Sequence, residues 1–417
     1  MADAFSKLFI AVLALSFGLR AWLATRHLRH IRTHRDAVPE AFAADMPLDV
    51  HQTAADYTCA KVRLAVISGA IDLCITLLLT LGGGLDLIWR LAGRLSDASI
   101  IHGTVFVAAT LLVTSLVSLP ASLYATFGIE ARYGFNKMTW ALWLRDGIKS
   151  LLLGAIIGLP LLALILWLMQ ISGPLWWLWV WCVWSAFSML MVVIYPTLIA
   201  PLFNRFVPLE DGALKARIEA LLTRTGFRSQ GVFVMDGSTR SNHGNAYFTG
   251  FGAAKRIVFF DTLIGRLTPE EIEAVLAHEL GHFRLKHVAR RIVLTFALSF
   301  LGLFVLGALA GAPWFYLGLG MHSSGAAQAL ILFVLAAPAF TFPLTPLMSS
   351  MSRRHEFEAD AFAARETDAE ALIAALVKLY RDNASTLTPD PLHSAFYDSH
   401  PPAALRIAHL KGLSSCR

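Results

Sequence analysis

Long apolar segments separated by polar loops dominate the hydrophobic pattern of the chain. Seven of them approach the ~20 residues that a helix needs to cross ~30 Å of hydrocarbon. They predict spanning helices at residues 8–23, 64–88, 105–127, 151–171, 175–199, 292–309 and 326–347. No small-residue cleavage site follows the first segment, which therefore predicts an anchor and not a cleaved signal peptide. The pattern indicates an α-helical integral membrane protein with about seven transmembrane helices.

Two stretches are polar enough to fold in water, and they divide the chain into four parts. Residues 1–203 form a five-span membrane region, and 204–291 a polar catalytic segment. Residues 292–349 form a two-span hairpin, and 350–417 a C-terminal polar segment that completes the site. Because both polar stretches follow an odd-numbered span, we expect them on the same side of the membrane.

Composition supports a bilayer as the main solvent. Of the 417 residues, 56% are hydrophobic and only 15% are charged, whereas a soluble protein needs more charge to cover its surface. The 11 Trp residues suit the headgroup level of a membrane. Cys59, Cys74, Cys182 and Cys416 form no paired pattern, so we expect free thiols.

The distribution of Lys and Arg predicts the orientation. The formal net charge is +6, and its cations cluster beside apolar segments, as topology determinants do. Arg26, Arg29, Arg32 and Arg35 occupy the first loop, whereas loop 311–325 carries no Lys or Arg. The positive-inside rule then places the N-terminus outside and both polar stretches in the cytoplasm. The same pattern argues against a nucleic-acid partner.

One helix carries a metallopeptidase pattern. Thr268 is a good N-cap, Pro269 suits the first helical position and Glu271 completes a capping box. His278 and His282 follow four residues apart, so both imidazoles can reach one tetrahedral zinc ion. Glu279 lies beside them, where it can take the proton of the attacking water. We interpret the nearby His287 as a surface or interfacial histidine, because nine residues turn it away from His278.

The third zinc ligand is predicted after the seventh span. Glu356 and Asp360 are one helical turn apart, so Glu356 can bind the metal while Asp360 accepts a hydrogen bond from a ligand histidine. Glu358 is the competing carboxylate, although it points away from that face. His355 is a further candidate. Because it is adjacent to Glu356, its side chain leaves the helix at a different angle.

The chain resembles the integral-membrane CAAX prenyl endopeptidases, a gluzincin family with seven spans. The resemblance covers nearly the whole sequence. It rests on His278-Glu-Leu-Gly-His282 with Glu356-Phe-Glu-Ala-Asp360, and on Glu130-Ala-Arg-Tyr-Gly-Phe-Asn-Lys137, Tyr195-Pro-Thr-Leu-Ile-Ala-Pro-Leu-Phe203, Arg240-Ser-Asn-His-Gly-Asn-Ala-Tyr-Phe248 and Ser399-His-Pro-Pro402.

The resemblance implies a fold and further site residues. The spans should enclose a water-filled chamber above a cytoplasmic zincin-type domain, mainly α with a small β edge strand. Asp72 and Asp86, which lie in or at the edge of the second span, fit such a wet interior.

In that family the segment matching residues 245–248 is a cleft strand that pairs with an extended substrate. This assigns substrate binding to Asn245, Ala246, Tyr247 and Phe248. It also places His400 and Arg406 near the metal, where they steady the oxyanion. From spacing alone, Asn245 could equally be a turn residue and His400 a surface histidine before two prolines.

The implied activity is zinc-dependent cleavage of membrane-associated or C-terminal prenyl-cysteine-type substrates. The compact size resembles a bacterial member, which would lie in the inner membrane. A quality-control protease for misfolded membrane proteins shares every motif. A transporter, or a scaffold with structural zinc, is a further alternative, although neither needs Glu279. The oligomeric state is left open.

Overall fold

The structure is a computed structural model that describes residues 1–250 and 255–414. Seven helical stretches in these ranges are long and apolar enough to cross a membrane, as predicted. The helices are α1 (Ala2–Thr33), α2 (Leu48–Leu79), α3 (Gly84–Gly93), α4 (Ser99–Glu130), α5 (Trp140–Ile171), α6 (Gly173–Phe203), α7 (Ala213–Thr225), α8 (Pro269–Arg284), α9 (His287–Ala310), α10 (Pro313–Gly318), α11 (Ala326–Thr341), α12 (Thr345–Glu366), α13 (Ala369–Asp382), α14 (Pro391–Tyr397) and α15 (Ala403–Ser414).

The spanning helices are α1, α2, α4, α5, α6, α9 and the α11–α12 pair. Helix α1 has 32 residues, so it is about 48 Å long at ~1.5 Å per residue. That length exceeds the ~30 Å hydrocarbon layer, so its ends reach water. A 3₁₀ turn at Phe342–Leu344 separates α11 from α12. The segment boundary expected after residue 349 therefore lies inside a helix, α12, that runs on into the polar part.

The second span ends earlier than predicted. Three consecutive glycines follow Leu81, and Gly83 adopts a left-handed φ of 76°, so the helix does not continue past Leu79. Asp86 consequently lies in the separate helix α3, where its carboxylate accepts hydrogen bonds from the backbone and ring of His322. The prediction that this span continues to residue 88 was wrong.

Four short strands form one sheet in the polar part of the chain. They are β1 (Phe206–Pro208), β2 (Val232–Met235), β3 (Ala246–Thr249) and β4 (Arg256–Phe260), in the order β1-β2-β4-β3. Strand β4 is nearly continuously apolar and buried, as a central strand should be. Strand β3 pairs antiparallel with β4 and lies at the edge of the sheet.

The two largest apolar cores among the described residues lie in different parts of the protein. One lies among the spanning helices and includes Phe9, Phe106 and Phe315. The other packs the sheet against α7, α8, α13 and α15, with Phe259 and Ile272 at its centre. Cys59, Cys74 and Cys182 are free thiols, while Cys416 lies outside the described residues.

Candidate active site

The predicted cap of α8 is present in the structure. The Thr268 hydroxyl accepts a hydrogen bond from the Glu271 backbone (3.3 Å), and the Glu271 carboxylate accepts one from the Thr268 backbone (2.8 Å). Glu271 also accepts a hydrogen bond from Lys378 of α13 (2.8 Å). The start of the histidine helix is therefore fixed both locally and by a neighbouring helix.

Helices α8 and α12 pack closely enough to bring their polar residues together. A Cβ atom at Gly281 would lie 3.1 Å from Ala359 Cα and 3.2 Å from Phe362 Cβ. Glycine between the two site histidines of α8 therefore permits this approach. The packing sets Glu356 of α12 opposite His278 and His282 of α8.

The three predicted ligands form one group. Glu356 Oε2 lies 3.4 Å from His278 Nε2, and Glu356 Oε1 lies 3.4 Å from His282 Nε2. Ligand atoms about 2.0–2.1 Å from a tetrahedral metal are about 3.3–3.4 Å apart, so the spacing fits such an ion. The carboxylate is only 3% exposed, which makes an unpaired negative charge costly there. The site thus has the donors, the spacing and the charge for a divalent cation.

Asp360 and Arg406 lie behind His278. Asp360 Oδ1 accepts a hydrogen bond from His278 Nδ1 (2.8 Å), and both Asp360 oxygens bind the Arg406 guanidinium at 2.5 and 2.8 Å. Burial lowers the pKa of His278, but the hydrogen bonds to Asp360 and Glu356 outweigh it and raise the pKa to about 9. A metal on Nε2 would therefore displace a proton at neutral pH. Arg406 is buried, with Nη1 3.8 Å from Glu356 Oε2.

His400 approaches Glu356 from the open side of the site. Its Nδ1 lies 2.7 Å from Glu356 Oε2, and its side chain is 60% exposed. Since Nδ1 donates to the carboxylate, Nε2 is left for another partner. Glu279, half-buried on α8, follows His278 directly. Their catalytic roles stay predictions.

The competing ligands are directed elsewhere. Glu358 binds His287 (3.0 Å) and Arg354 (3.2 Å), and His355 stacks on His287 with ring centroids 4.1 Å apart. The interpretation of His287 as a surface or interfacial histidine was wrong, because it is fully buried within the protein. Lys286 lies between α8 and α9 and adopts a left-handed φ of 60°, which turns His287 back towards His282.

The segment predicted to bind substrate occupies the sheet edge. Ala246, Tyr247 and Phe248 lie in β3, and Asn245 precedes it with an exposed side chain. The Asn245 carbonyl accepts a hydrogen bond from Phe260, which joins it to the end of β4 (3.0 Å). The Asn245 side chain accepts one from the Ala246 backbone (2.8 Å).

A cavity of about 1210 Å³ adjoins the site. Its wall combines polar residues of the site, Asn245 and His400, with residues of the spanning helices α1 and α2. Asp72 of α2 lines it, as expected for a carboxylate at membrane depth. Spanning helices and site therefore line the same cavity.

Comparisons with known proteins identify the family. Residues 27–205 match the model of the CAAX prenyl protease N-terminal region with five membrane helices, and residues 208–414 match peptidase family M48. The chain belongs to peptidase family M48. It is therefore a multi-pass membrane metallopeptidase.

Relatives of this M48 peptidase match over nearly their whole length. The CAAX prenyl protease 1 homolog of Oryza sativa subsp. japonica is 36% identical over 397 residues, which cover 92% of this chain and 93% of the relative. CAAX prenyl protease 1 of Saccharomyces cerevisiae is 33% identical, and the match covers 98% of this chain and 96% of the relative. The crystal structure of S. mikatae Ste24p superimposes with a TM-score of 0.89 at 32% identity. The superposition covers 97% of this chain and 98% of the Ste24p chain. This similarity confirms the predicted fold.

The M48 site also contains residues that sequence reasoning missed. Asn383 of the loop after α13 accepts a hydrogen bond from the Gly244 backbone (3.0 Å) and donates one to the Gly244 carbonyl (3.3 Å). Tyr57 of α2 donates to Glu130 (2.5 Å), which lies 3.3 Å from His243. These bonds hold the chain that leads into β3. Glu130 and His243 lie within the motifs of the resemblance, whereas Asn383 and Tyr57 have no local signal.

Proposed function

We propose that this chain is a zinc metalloendopeptidase that hydrolyses peptide bonds of membrane-associated or C-terminal prenyl-cysteine-type substrates. The observation that carries the proposal is the 3.4 Å spacing of Glu356 from both histidine Nε2 atoms, which suits a tetrahedral ion with one position left open. The relatives are named as CAAX prenyl proteases, which supports the substrate class.

Each site residue has a distinct task in this mechanism. His278, His282 and Glu356 hold the zinc, which when bound acidifies water and polarises the substrate carbonyl. Glu279 takes the proton of the attacking water and delivers it to the leaving amine. His400, held at Nδ1 by its hydrogen bond to Glu356, donates from Nε2 to the developing oxyanion, which requires both ring nitrogens to be protonated.

Arg406 acts in this mechanism through Asp360. Its bidentate ion pair holds the carboxylate that orients His278, while its positive charge faces the carboxylates of the site. The sequence resemblance predicted a direct contact between Arg406 and the oxyanion. Such a contact would require the substrate to approach Nη1, the guanidinium nitrogen of Arg406 that does not bind Asp360.

The residues that line the cavity suit a lipid-modified substrate. Its wall is formed partly by apolar residues of α1 and α2, such as Phe17, Ala21 and Ala65, and partly by Asn245 at the sheet edge. A peptide could lie along β3 while an apolar group stays among the helices. The test compares a farnesylated C-terminal peptide with the same peptide unmodified. We expect faster cleavage of the first, and equal rates would favour a general quality-control protease.

In the same assay, Asn245→Ala should lower kcat/KM by roughly 10–10³-fold, as the loss of one oxyanion donor does. The reason is that Asn245 directly precedes the edge strand, where its exposed side chain lines the cavity. Zinc content should not change, because Asn245 is not a ligand. Thr249→Ala, at the far end of β3, is the matched control. Unchanged kinetics of Asn245→Ala would make Asn245 a turn residue.

We also propose that the active site faces the cytoplasm and the N-terminus the outside. The support is the cluster Arg26, Arg29, Arg32 and Arg35 against the loop 311–325, which has no Lys or Arg. Reporter fusions at the two ends should therefore mark the C-terminus as cytoplasmic, and a C-terminus found outside would reverse the topology. The bacterial inner membrane stays a prediction; the relatives described above are eukaryotic.

A further inference from the structure

His287, the first residue of α9, connects a metal ligand to a carboxylate outside the site. Its Nδ1 lies 3.1 Å from Nδ1 of His282, and its Nε2 lies 3.0 Å from Glu358 Oε2. The ring is fully buried and stacks on His355, with an angle of 10° between the planes. A continuous chain of hydrogen bonds thus runs from His282 through His287 to Glu358.

The directions of these hydrogen bonds follow from the carboxylate. Glu358 can only accept, so His287 carries its proton on Nε2. A neutral His287 then accepts at Nδ1, and His282 must donate from Nδ1. This leaves the lone pair of His282 on Nε2, the atom that faces Glu356. No other arrangement of a neutral pair leaves that nitrogen free for a metal.

We propose that His287 and Glu358 are positioning residues, which hold His282 in the tautomer and ring orientation that metal binding requires. The inference rests on the proposed zinc site and deepens it. Partners of this kind fix a ligand imidazole and raise its basicity, and their loss typically costs about 10–100-fold in metal affinity.

The two histidine ligands are therefore supported unequally. His278 donates directly to Asp360, a fully buried carboxylate held by Arg406. His282 reaches its carboxylate only through His287, and the side chain of Glu358 is 35% exposed. His287 also begins a spanning helix. Retention of the metal should consequently depend on how the first turn of α9 docks against α12.

The test measures zinc affinity of the full-length protein in detergent by competition with a chromogenic chelator. His287→Ala should weaken zinc binding by about 10–100-fold, and Glu358→Ala by roughly tenfold. The zinc affinity of His287→Asn should lie between those of the wild type and His287→Ala, because the asparagine amide oxygen can still accept a hydrogen bond from His282. With saturating zinc, the KM of His287→Ala for a peptide substrate should equal that of the wild type.

Arg354→Ala is the matched control, because it removes the exposed partner of Glu358 and leaves the chain to His282 intact. Wild-type zinc affinity in both Glu358→Ala and His287→Ala would overturn the proposal. Equal losses in His287→Asn and His287→Ala would also overturn it, since packing alone would then explain the effect. If His287→Ala does not fold, the zinc affinity of Glu358→Ala decides whether the proposal holds. A wild-type protein without zinc would instead refute the proposed function.

Discussion

Glu279→Gln should retain zinc and lose about 10²–10⁴-fold in turnover, the usual cost of removing a general base. Glutamine has nearly the shape of glutamate, so α8 and the two histidines on it should stay in place. What the amide lacks is a lone pair basic enough to take the proton of the attacking water. We expect the loss in kcat with little change in KM, because Glu279 is not assigned to substrate binding.

The matched control for this variant is Glu270→Gln on the same helix. Glu270 is exposed and paired with Arg217 (2.6 Å), away from the metal ligands, so its substitution should leave turnover unchanged. Purified proteins would be compared for peptide cleavage and for zinc per chain. Near-normal turnover by Glu279→Gln would contradict the mechanism. Loss of zinc together with activity would instead assign Glu279 to the metal site itself.

Replacing a metal ligand should have a different signature. His282→Ala and Glu356→Ala should each reduce zinc from about one ion per chain to nearly none, since two protein ligands remain of three. Activity should disappear with the metal. Loss of Glu356 also leaves His400 without its hydrogen-bond partner, so added zinc should not rescue Glu356→Ala.

Controls for the ligand variants come from residues of the same types in other surroundings. Glu366→Ala alters the same helix as Glu356 and removes a carboxylate paired with Arg224, and His322→Ala removes an exposed histidine paired with Asp86. Metal analysis of all four proteins is the measurement. Full zinc content in both ligand variants would show that the ligand assignment is wrong.

Local helical geometry explains why much of the site could be predicted. His278 and His282, like Glu356 and Asp360, are four residues apart on one helix, so their sequence spacing determines that they share a face. The cap at Thr268 is equally local. The number of spans follows from segments whose length alone suits the membrane. Strand β3 was placed by resemblance and not by its pattern of residues.

The features that could not be predicted depend on backbone turns or on distant partners. The left-handed Lys286 turns His287 inwards, and an uninterrupted helix would have carried it away from His282. The three glycines after Leu81 lie within an apolar run, and the apolar pattern continues across them. Asn383 reaches Gly244 over 139 residues of chain, which no local pattern could indicate.

The continuity of α12 with the seventh span connects membrane and site. One helix carries Ser349, beside the apolar span, and Glu356, two turns further on. Ser349 and Arg353 bind backbone carbonyls of the chain around α14, just before His400. Both Glu356 and the chain before His400 are thus connected to the end of the seventh span.

Zinc-edge anomalous diffraction from crystals of the wild-type protein tests the central claim most directly. We expect one strong peak per chain, within about 2.0–2.2 Å of His278 Nε2, His282 Nε2 and a Glu356 oxygen. A peak among His287, His355 and Glu358, or no peak in a protein that cleaves peptides, would contradict it.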